Sequence, residues 1–185
     1  MKKKQSLLVC IKKSKENMQI FVLDYNPCKA AKMLCDVHLR KMCLENAQIL
    51  SGVLHNHKQV LLPGMPKCFN CRHKVVRALD NLQIINWVVI YNYALHREFL
   101  YRFGKKHAYF KLLDAYKKLL YTKHLPVDLA KLSFARNFKA FAPAASDIVE
   151  AYREYYCCKK RVLSKFTYTR RSEPAWLTEK AVIGQ

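Results

Sequence analysis

A carboxylate on an otherwise apolar helical face is the first candidate for chemistry. Steps of three and four residues through Met42, Ile49 and Val53 give an apolar stripe that is typical of a buried helix face. His38 and Glu45 lie on the same stripe, about 10 Å apart along the axis at ~1.5 Å per residue. A carboxylate there is costly unless it is paired, protonated or open to a cleft. Glu45 is therefore the leading candidate for an acid–base residue.

A structural interpretation of Glu45 stays open beside the catalytic one. Lys41 precedes Glu45 by one helical turn, and Glu–Lys pairs at this spacing are common on helices. Structural ion pairs of this kind resemble functional sites in their charge pattern. The sequence alone therefore allows Glu45 to be either a site residue or half of a surface ion pair.

One long helix is predicted to position these residues. Asn26 suits the N-cap and Pro27 the first helical position, where a missing N–H costs nothing. Gly52 is placed where the helix should end. The run from Gln19 to Leu23 precedes the turn and has the composition of a short strand.

Three further helices are predicted downstream, and together they define the fold class. They cover Arg72 to Phe103, with a break near Asp80, then Ala108 to Tyr121, and Asp147 to about Lys165. The expected fold is mainly α: a single compact domain of about four helices with irregular connections and a basic, aromatic C-terminal tail. The predicted divisions are a basic N-terminal extension (1–17), the helical domain (18–177) and a short tail (178–185).

Net charge points to an anionic partner. The chain has 34 Lys and Arg against 13 Asp and Glu, a formal charge of +21. A positive charge of this size favours binding to a polyanion. Nucleic acid, and double-stranded DNA above all, is the first candidate partner, and an anionic membrane surface is the second. No apolar run approaches the ~20 residues of a membrane span, so no membrane insertion is expected. Oligomeric state is not predicted.

Side chains of three kinds are candidates for contact with nucleic acid. Lys and Arg bind phosphates, polar side chains contact the backbone, and aromatic rings stack on unpaired bases. For Trp176 the alternative is a tail strapped over the core by its ring. The candidates are His38, Arg40, Lys41, Gln48, Arg72, Arg102, Lys105, Lys106, Lys159, Lys160, Arg161, Arg170, Arg171 and Trp176.

Cysteine usage indicates a reducing, intracellular compartment rather than secretion. There are eight cysteines, and no secretory signal is recognisable before them. No disulfide framework and no cofactor are expected. The alternative is a zinc site at Cys68-x-x-Cys71 with His73. This alternative is weak, because the spacing lacks a second convincing ligand pair.

A resemblance to a known family enters through the first helix. The string from Cys35 to Leu50 resembles the first helix of the pyrimidine-dimer DNA glycosylases of the endonuclease V type, through uncharacterised phage- and virus-type relatives. In that family an Asp-x-His-Leu run is followed, at the same spacing, by the catalytic glutamate; here the glutamate falls on Glu45. Further similar segments extend the resemblance over most of residues 18–177. They are Asn70 to His107, Ser133 to Ala135, Val149 to Tyr156 and Glu173 to Trp176.

The resemblance implies a metal-free DNA glycosylase/AP lyase that acts on damaged or modified bases, encoded by a virus. Such an enzyme bends DNA, displaces a nucleotide and attacks the sugar C1′ with its N-terminal amine. Glu45 would be the acid–base residue, and Met18 would supply the amine if translation begins there. His38, Arg40 and Lys41 would face the substrate.

Two departures from the family pattern leave a second function open. Gln48 and Leu44 stand where the family has phosphate-binding arginines, and residues 1–17 would displace the amine. The alternative is a non-catalytic basic protein of nucleoprotein or virion type that binds nucleic acid with the same fold.

Overall fold

Helices provide the regular structure of this protein. The computed structural model describes residues 19–68, 70–120 and 147–182, and within these residues it contains helices and no strand. The prediction of a mainly α fold is confirmed. The helices are α1 (Pro27–Lys32), α2 (Asp36–Asn56), α3 (Lys74–Arg77), α4 (Leu82–Phe103), a 3₁₀ helix (Ala108–Leu112), α5 (Leu113–Leu120), α6 (Ile148–Val162) and α7 (Ala175–Val182).

The single long helix predicted at the start is wrong, because the structure has two helices there. The predicted start is confirmed: the Asn26 side chain accepts from the backbone N–H groups of Cys28 and Lys29. The α1 helix ends at Lys32, and α2 begins at Asp36. Helical periodicity runs on through the break, so the sequence pattern concealed it.

Tertiary hydrogen bonds stabilise this break. The Arg102 guanidinium donates to the carbonyl oxygens of Lys32 and Leu34, both at 2.8 Å. The backbone N–H of Cys35 donates to the Tyr156 hydroxyl at 2.8 Å. Backbone groups that a continuous helix would satisfy internally are therefore satisfied by side chains from α4 and α6.

Gly52 does not end the helix, as the sequence predicted, but allows a close contact. The α2 helix continues through it to Asn56. A Cβ atom at Gly52 would lie 2.6 Å from the Cys68 Sγ and 2.9 Å from the Val76 Cγ1. The absence of a side chain lets the loop and α3 pack directly on α2.

The segment predicted as a strand enters the core without forming one. All five residues from Gln19 to Leu23 are buried, but the structure assigns no strand to them. Phe21 packs near His38 and Tyr156, with ring centroids 4.8 and 5.3 Å away. Burial explains the apolar composition that suggested a strand.

The α4 helix lies at the centre of the packing. The predicted break near Asp80 is confirmed, because α3 ends at Arg77 and α4 begins at Leu82, where the Asn81 side chain accepts from the N–H of Gln83. The predicted end at Phe103 is also confirmed, and Gly104 follows it with a φ of 65°. The α1, α2 and α5 helices all pack on α4. No helix in the described ranges is long and apolar enough to cross a bilayer.

The remaining helices follow the sequence closely. The predicted third helix begins as the 3₁₀ helix capped by His107. The Asp147 side chain accepts from the N–H of Glu150 and opens α6, which ends at Val162 rather than near Lys165. The α7 helix crosses the predicted boundary between 177 and 178. Residues 1–17, Met18 and the segment with Ser133 to Ala135 lie outside the described residues.

Candidate nucleic-acid interface and Glu45

Glu45 lies at the margin between the core and the surface of α2. Its side chain is 15% exposed, and its Oε1 atom lies 3.2 Å from the Nζ of Lys41. Met42 and Ile49, one turn before and after it, are fully buried. The ion pair expected from the structural interpretation is therefore present, and the carboxylate remains accessible at one edge.

His38 belongs to the core, which contradicts the prediction that it contacts nucleic acid. It is 5% exposed, and its Nδ1 lies 2.9 Å from the Tyr156 hydroxyl oxygen. The same hydroxyl oxygen accepts from the N–H of Cys35, so Tyr156 holds both His38 and the backbone before α2. The imidazole therefore orders an aromatic cluster with Phe21 and Phe166 instead of facing a substrate.

Arg102 is also wrong as a phosphate contact, because it is buried and fully engaged. Its side chain has 0% exposure and donates to Asp36 at 3.1 Å and to Glu98 at 2.7 Å. Two further N–H groups bind the carbonyl oxygens at the α1–α2 break described above. No part of this guanidinium is available to a phosphate.

Two carboxylates complete this buried charge network. Glu98 also binds Arg171 through both carboxylate oxygens, at 2.8 and 2.9 Å. Asp36 accepts from Thr167 and Thr169, which anchors the C-terminal segment to the start of α2. Arg171 is thus committed to an internal ion pair, and its predicted role in binding phosphate is not supported by the structure.

Hydrogen bonds keep both carboxylates ionised in spite of burial. For Asp36, burial alone would raise the pKa, but hydrogen bonds from Thr169, Arg102 and Thr167 outweigh it and lower the pKa. For Glu98, burial likewise opposes ionisation, and hydrogen bonds from Arg171 and Arg102 lower the pKa. The network is a charged clasp that joins α2, α4 and the C-terminal segment.

Trp176 fits the strap interpretation better than a role in base stacking. Its ring is half-buried and packs near Tyr156, with centroids 6.3 Å apart. The guanidinium of Arg153 lies over the same ring, 5.3 Å from its centroid. Nearby, Lys160 forms an ion pair with Glu173. Trp176 and Lys160, which were both predicted to contact nucleic acid, therefore attach the C-terminal segment to α6.

Several predicted contacts do meet at one place, the C-terminal end of α4. Arg40 lies over the Phe103 ring, 4.3 Å from its centroid. Arg170 donates from Nη1 to the Tyr101 carbonyl oxygen at 3.1 Å. Lys105 and Lys106 directly follow the end of the helix. All four cationic side chains are exposed, and we refer to Arg40, Lys105, Lys106 and Arg170 as the basic corner.

An aromatic groove beside the basic corner was missed by the sequence analysis. It has a volume of about 530 Å³ and is lined by Tyr93, Arg97, Leu100, Tyr101, Phe110, Leu113 and Asp114. Tyr101 and Phe110 link it to the corner: the Tyr101 hydroxyl donates to the Arg170 carbonyl oxygen, and Lys106 lies over the Phe110 ring. The signal in the sequence was the aromatic residue Tyr101 close to the basic pair Lys105 and Lys106.

The other predicted contacts are more scattered. Arg72 and Arg161 are exposed, whereas Gln48 is half-buried on α2. Lys159 lies over the Tyr155 ring, 5.4 Å from its centroid.

The weak zinc alternative is not supported by the geometry. Cys68 and Cys71 interact, but the Nδ1 of His73 accepts from the N–H of Val75 as the cap of α3. Among the described residues, the cysteine and histidine atoms that do gather as a potential metal-binding group are those of Cys43, His96 and His107.

Comparison with known proteins adds no relative. No protein-family model, no curated protein and no solved structure matches this chain.

Proposed function

We propose that this protein binds nucleic acid, double-stranded DNA first, through the basic corner and the adjoining aromatic groove. The observation that supports this most strongly is the convergence of Arg40, Lys105, Lys106 and Arg170 at the end of α4. Cationic side chains grouped in this way attract the phosphate backbone and release its counterions. The formal charge of +21 supplies the long-range attraction.

The groove gives the proposed interface a place for an unstacked base. Its walls include the aromatic rings of Tyr93, Tyr101 and Phe110, and Arg97 adds a cation beside them. Bases displaced from a duplex stack on such rings without strong sequence preference. Phosphates at the corner and a base in the groove would be neighbours, because Lys106 contacts Phe110.

We further propose that the bound DNA is processed by glycosylase/AP lyase chemistry with Glu45 as the acid–base group. Arg40 and Glu45 are on the same helix, about 7.5 Å apart along its axis at ~1.5 Å per residue and about 140° apart around it at ~100° per residue. A carboxylate near bound DNA can stabilise a cationic sugar and transfer protons. The resemblance described above assigns the nucleophile to the amine of Met18, which is free only where translation begins at Met18.

A non-catalytic nucleic-acid-binding protein is the second candidate, and the Lys41–Glu45 ion pair favours it. An ammonium 3.2 Å from the carboxylate gives Glu45 a structural partner. The burial of His38 removes another residue from the candidate catalytic set. In this alternative the basic corner binds backbone phosphates and no bond is broken.

Borohydride trapping separates the two candidates. The protein is incubated with duplex DNA that contains an abasic site or a pyrimidine dimer, and borohydride is added to reduce any imine. A covalent adduct that disappears when the N-terminal amine is blocked supports the lyase. Salt-sensitive binding without an adduct or a nick supports the binding protein, and an absence of binding at low salt contradicts both.

A further inference from the structure

Three potential metal ligands from separate parts of the chain meet in the core. Cys43 is on α2, His96 is on α4, and His107 precedes the 3₁₀ helix. One ligand atom from each lies within 4.8 Å of the others. Donor atoms of a tetrahedral zinc site are about 3.3–3.7 Å apart, given bonds of ~2.0 Å to nitrogen and ~2.3 Å to sulfur. The three atoms therefore need to approach one another by at most about 1.5 Å to share one ion.

His96 provides an independent indication that a ligand is required. Its side chain is 0% exposed, and among the described residues neither ring nitrogen has a hydrogen-bond partner of acceptable geometry. The ring lies near the Cys43 backbone, but that contact does not meet the geometric criteria for a hydrogen bond. Buried polar groups are nearly always satisfied. A metal ion bound to one ring nitrogen would satisfy that atom. The other ring nitrogen would then carry the proton and face the Cys43 backbone.

The surroundings suit a metal ion that enters from one side. The His107 ring packs at 5.1 Å from Phe99 and 5.3 Å from His96, and Phe110 lies 6.0 Å from His96. These rings enclose the inner side of the cluster, while His107 itself is only half-buried. A half-buried ligand offers the ion a route of entry from solvent.

One existing hydrogen bond would have to change. The N–H of Tyr109 donates to the Nδ1 of His107 across a long 3.4 Å. Coordination through Nδ1 would replace this bond, and coordination through Nε2 would move the ring proton to Nδ1 and also break it. Only a weak cap of a short 3₁₀ helix is lost in either case.

We propose that Cys43, His96 and His107 bind a divalent ion of the zinc type. One thiolate and two neutral imidazoles favour zinc over magnesium or calcium, which prefer oxygen ligands. Binding releases the Cys43 thiol proton to solvent, so the site carries a net charge of +1, and water occupies the fourth position. The ion ties α2 to α4 and to the turn after it, and this role is independent of whether Glu45 is catalytic.

Cobalt(II) is the direct probe of this site, because a cobalt–thiolate bond gives a charge-transfer absorption in the near ultraviolet. The full-length protein, freed of metal and kept reduced, is titrated with Co²⁺ and then with Zn²⁺. The expected result is a charge-transfer band that saturates at one Co²⁺ per chain and is bleached by Zn²⁺. The band should be lost in Cys43→Ala and in His107→Ala.

Matched variants identify the ligands. Cys35→Ala removes another buried thiol from the start of the same helix, and it should retain the band. The double variant Cys68→Ala/Cys71→Ala should retain it as well. Circular dichroism checks folding, and the half-buried His107 provides the decisive variant if Cys43→Ala does not fold.

Three results would overturn the proposal. They are the absence of a charge-transfer band in the wild-type protein, a band that persists in folded His107→Ala, and a band that is lost in the Cys68/Cys71 variant but kept in Cys43→Ala. The last result would move the metal to the C-x-x-C sequence.

Discussion

Arg102 on α4 donates to the Asp36 carboxylate at the start of α2, with 3.1 Å between Nη1 and Oδ1 and the Arg102 side chain fully buried. This ion pair fixes the start of the helix that carries Glu45. It also explains why Arg102, at the basic end of α4, cannot serve as a DNA contact. The buried charge network of Arg102, Asp36 and Glu98 therefore positions the proposed interface but does not form part of it.

Removing the buried cation should strongly destabilise the protein. In Arg102→Met, Asp36 and Glu98 would lose a buried partner, and the carbonyl oxygens of Lys32 and Leu34 would lose their donors. We expect the free energy of unfolding in urea to fall by about 3–5 kcal/mol. The exposed Arg170→Met is the control and should change it by at most about 0.5 kcal/mol. Equal effects of the two substitutions would contradict a structural role for the clasp.

Low pH should weaken the stabilisation that Asp36 and Glu98 provide through this charge network. In spite of burial, hydrogen bonds hold the folded-state pKa values of Asp36 and Glu98 below the ordinary values of 3.8 and 4.5. A lowered folded-state pKa means that the unfolded chain binds protons first as the pH falls. The stabilisation is therefore present above about pH 4.5 and is lost as the pH falls through the folded-state pKa values.

Urea denaturation at a series of pH values measures this loss. Asp36→Asn should be less stable than the wild type at neutral pH and should show a flatter decline between about pH 5 and pH 2. An unchanged slope in Asp36→Asn would show that this carboxylate does not drive the acid transition.

The basic corner should dominate the electrostatics of DNA binding. Replacing Arg40, Lys105 and Lys106 with Gln removes three exposed cations. The slope of log affinity against log salt should shrink in magnitude by about 2.7 if each contacts one phosphate. Fluorescence anisotropy with a labelled duplex measures this slope at several salt concentrations.

A second triple variant controls for net charge. Lys58, Lys67 and Lys74 are also exposed, and all three follow the C-terminal end of α2 in the chain. Replacing them with Gln should change the slope much less than the corner variant does. If both variants reduce it equally, binding depends on overall charge and not on this surface.

Gly52 should tolerate no side chain. In Gly52→Ala, the new Cβ would meet Cys68 and Val76 at distances that require a shift of the packed loop. We expect a loss of about 1–3 kcal/mol in the free energy of unfolding. Cys68→Ala in the same chain should recover part of this loss, because it removes the nearer atom. The absence of any recovery would mean that Val76 or the helix itself causes the loss.

Local signals predicted much of the fold. The caps at Asn26 and Asp147, the break near Asp80 and the terminating Gly104 depend on residues at the helix ends themselves, so they are readable from the sequence. The break before Asp36 was not readable, because Arg102, which stabilises it, lies far away along the chain. Long-range hydrogen bonds decided the outcome there.

In the candidate site too, some features were predictable from the sequence and others were not. The Glu45–Lys41 pair follows from helical spacing and was anticipated, and the exposed Arg40, Lys105 and Lys106 follow from charge. Burial of Arg102 depends on which face of α4 packs on α1, which charge alone does not reveal. The cluster at Cys43 joins three segments and has no signature in spacing.

The most direct test of the central proposal compares Glu45→Gln with wild-type protein on duplex DNA containing an abasic site. Strand cleavage and equilibrium binding are measured on the same samples, with the exposed Glu150→Gln as the matched control. We expect Glu45→Gln to abolish cleavage while binding stays near the wild-type level, and Glu150→Gln to retain both. Cleavage that persists in Glu45→Gln, or wild-type protein that binds without cleaving, would contradict the catalytic role of Glu45.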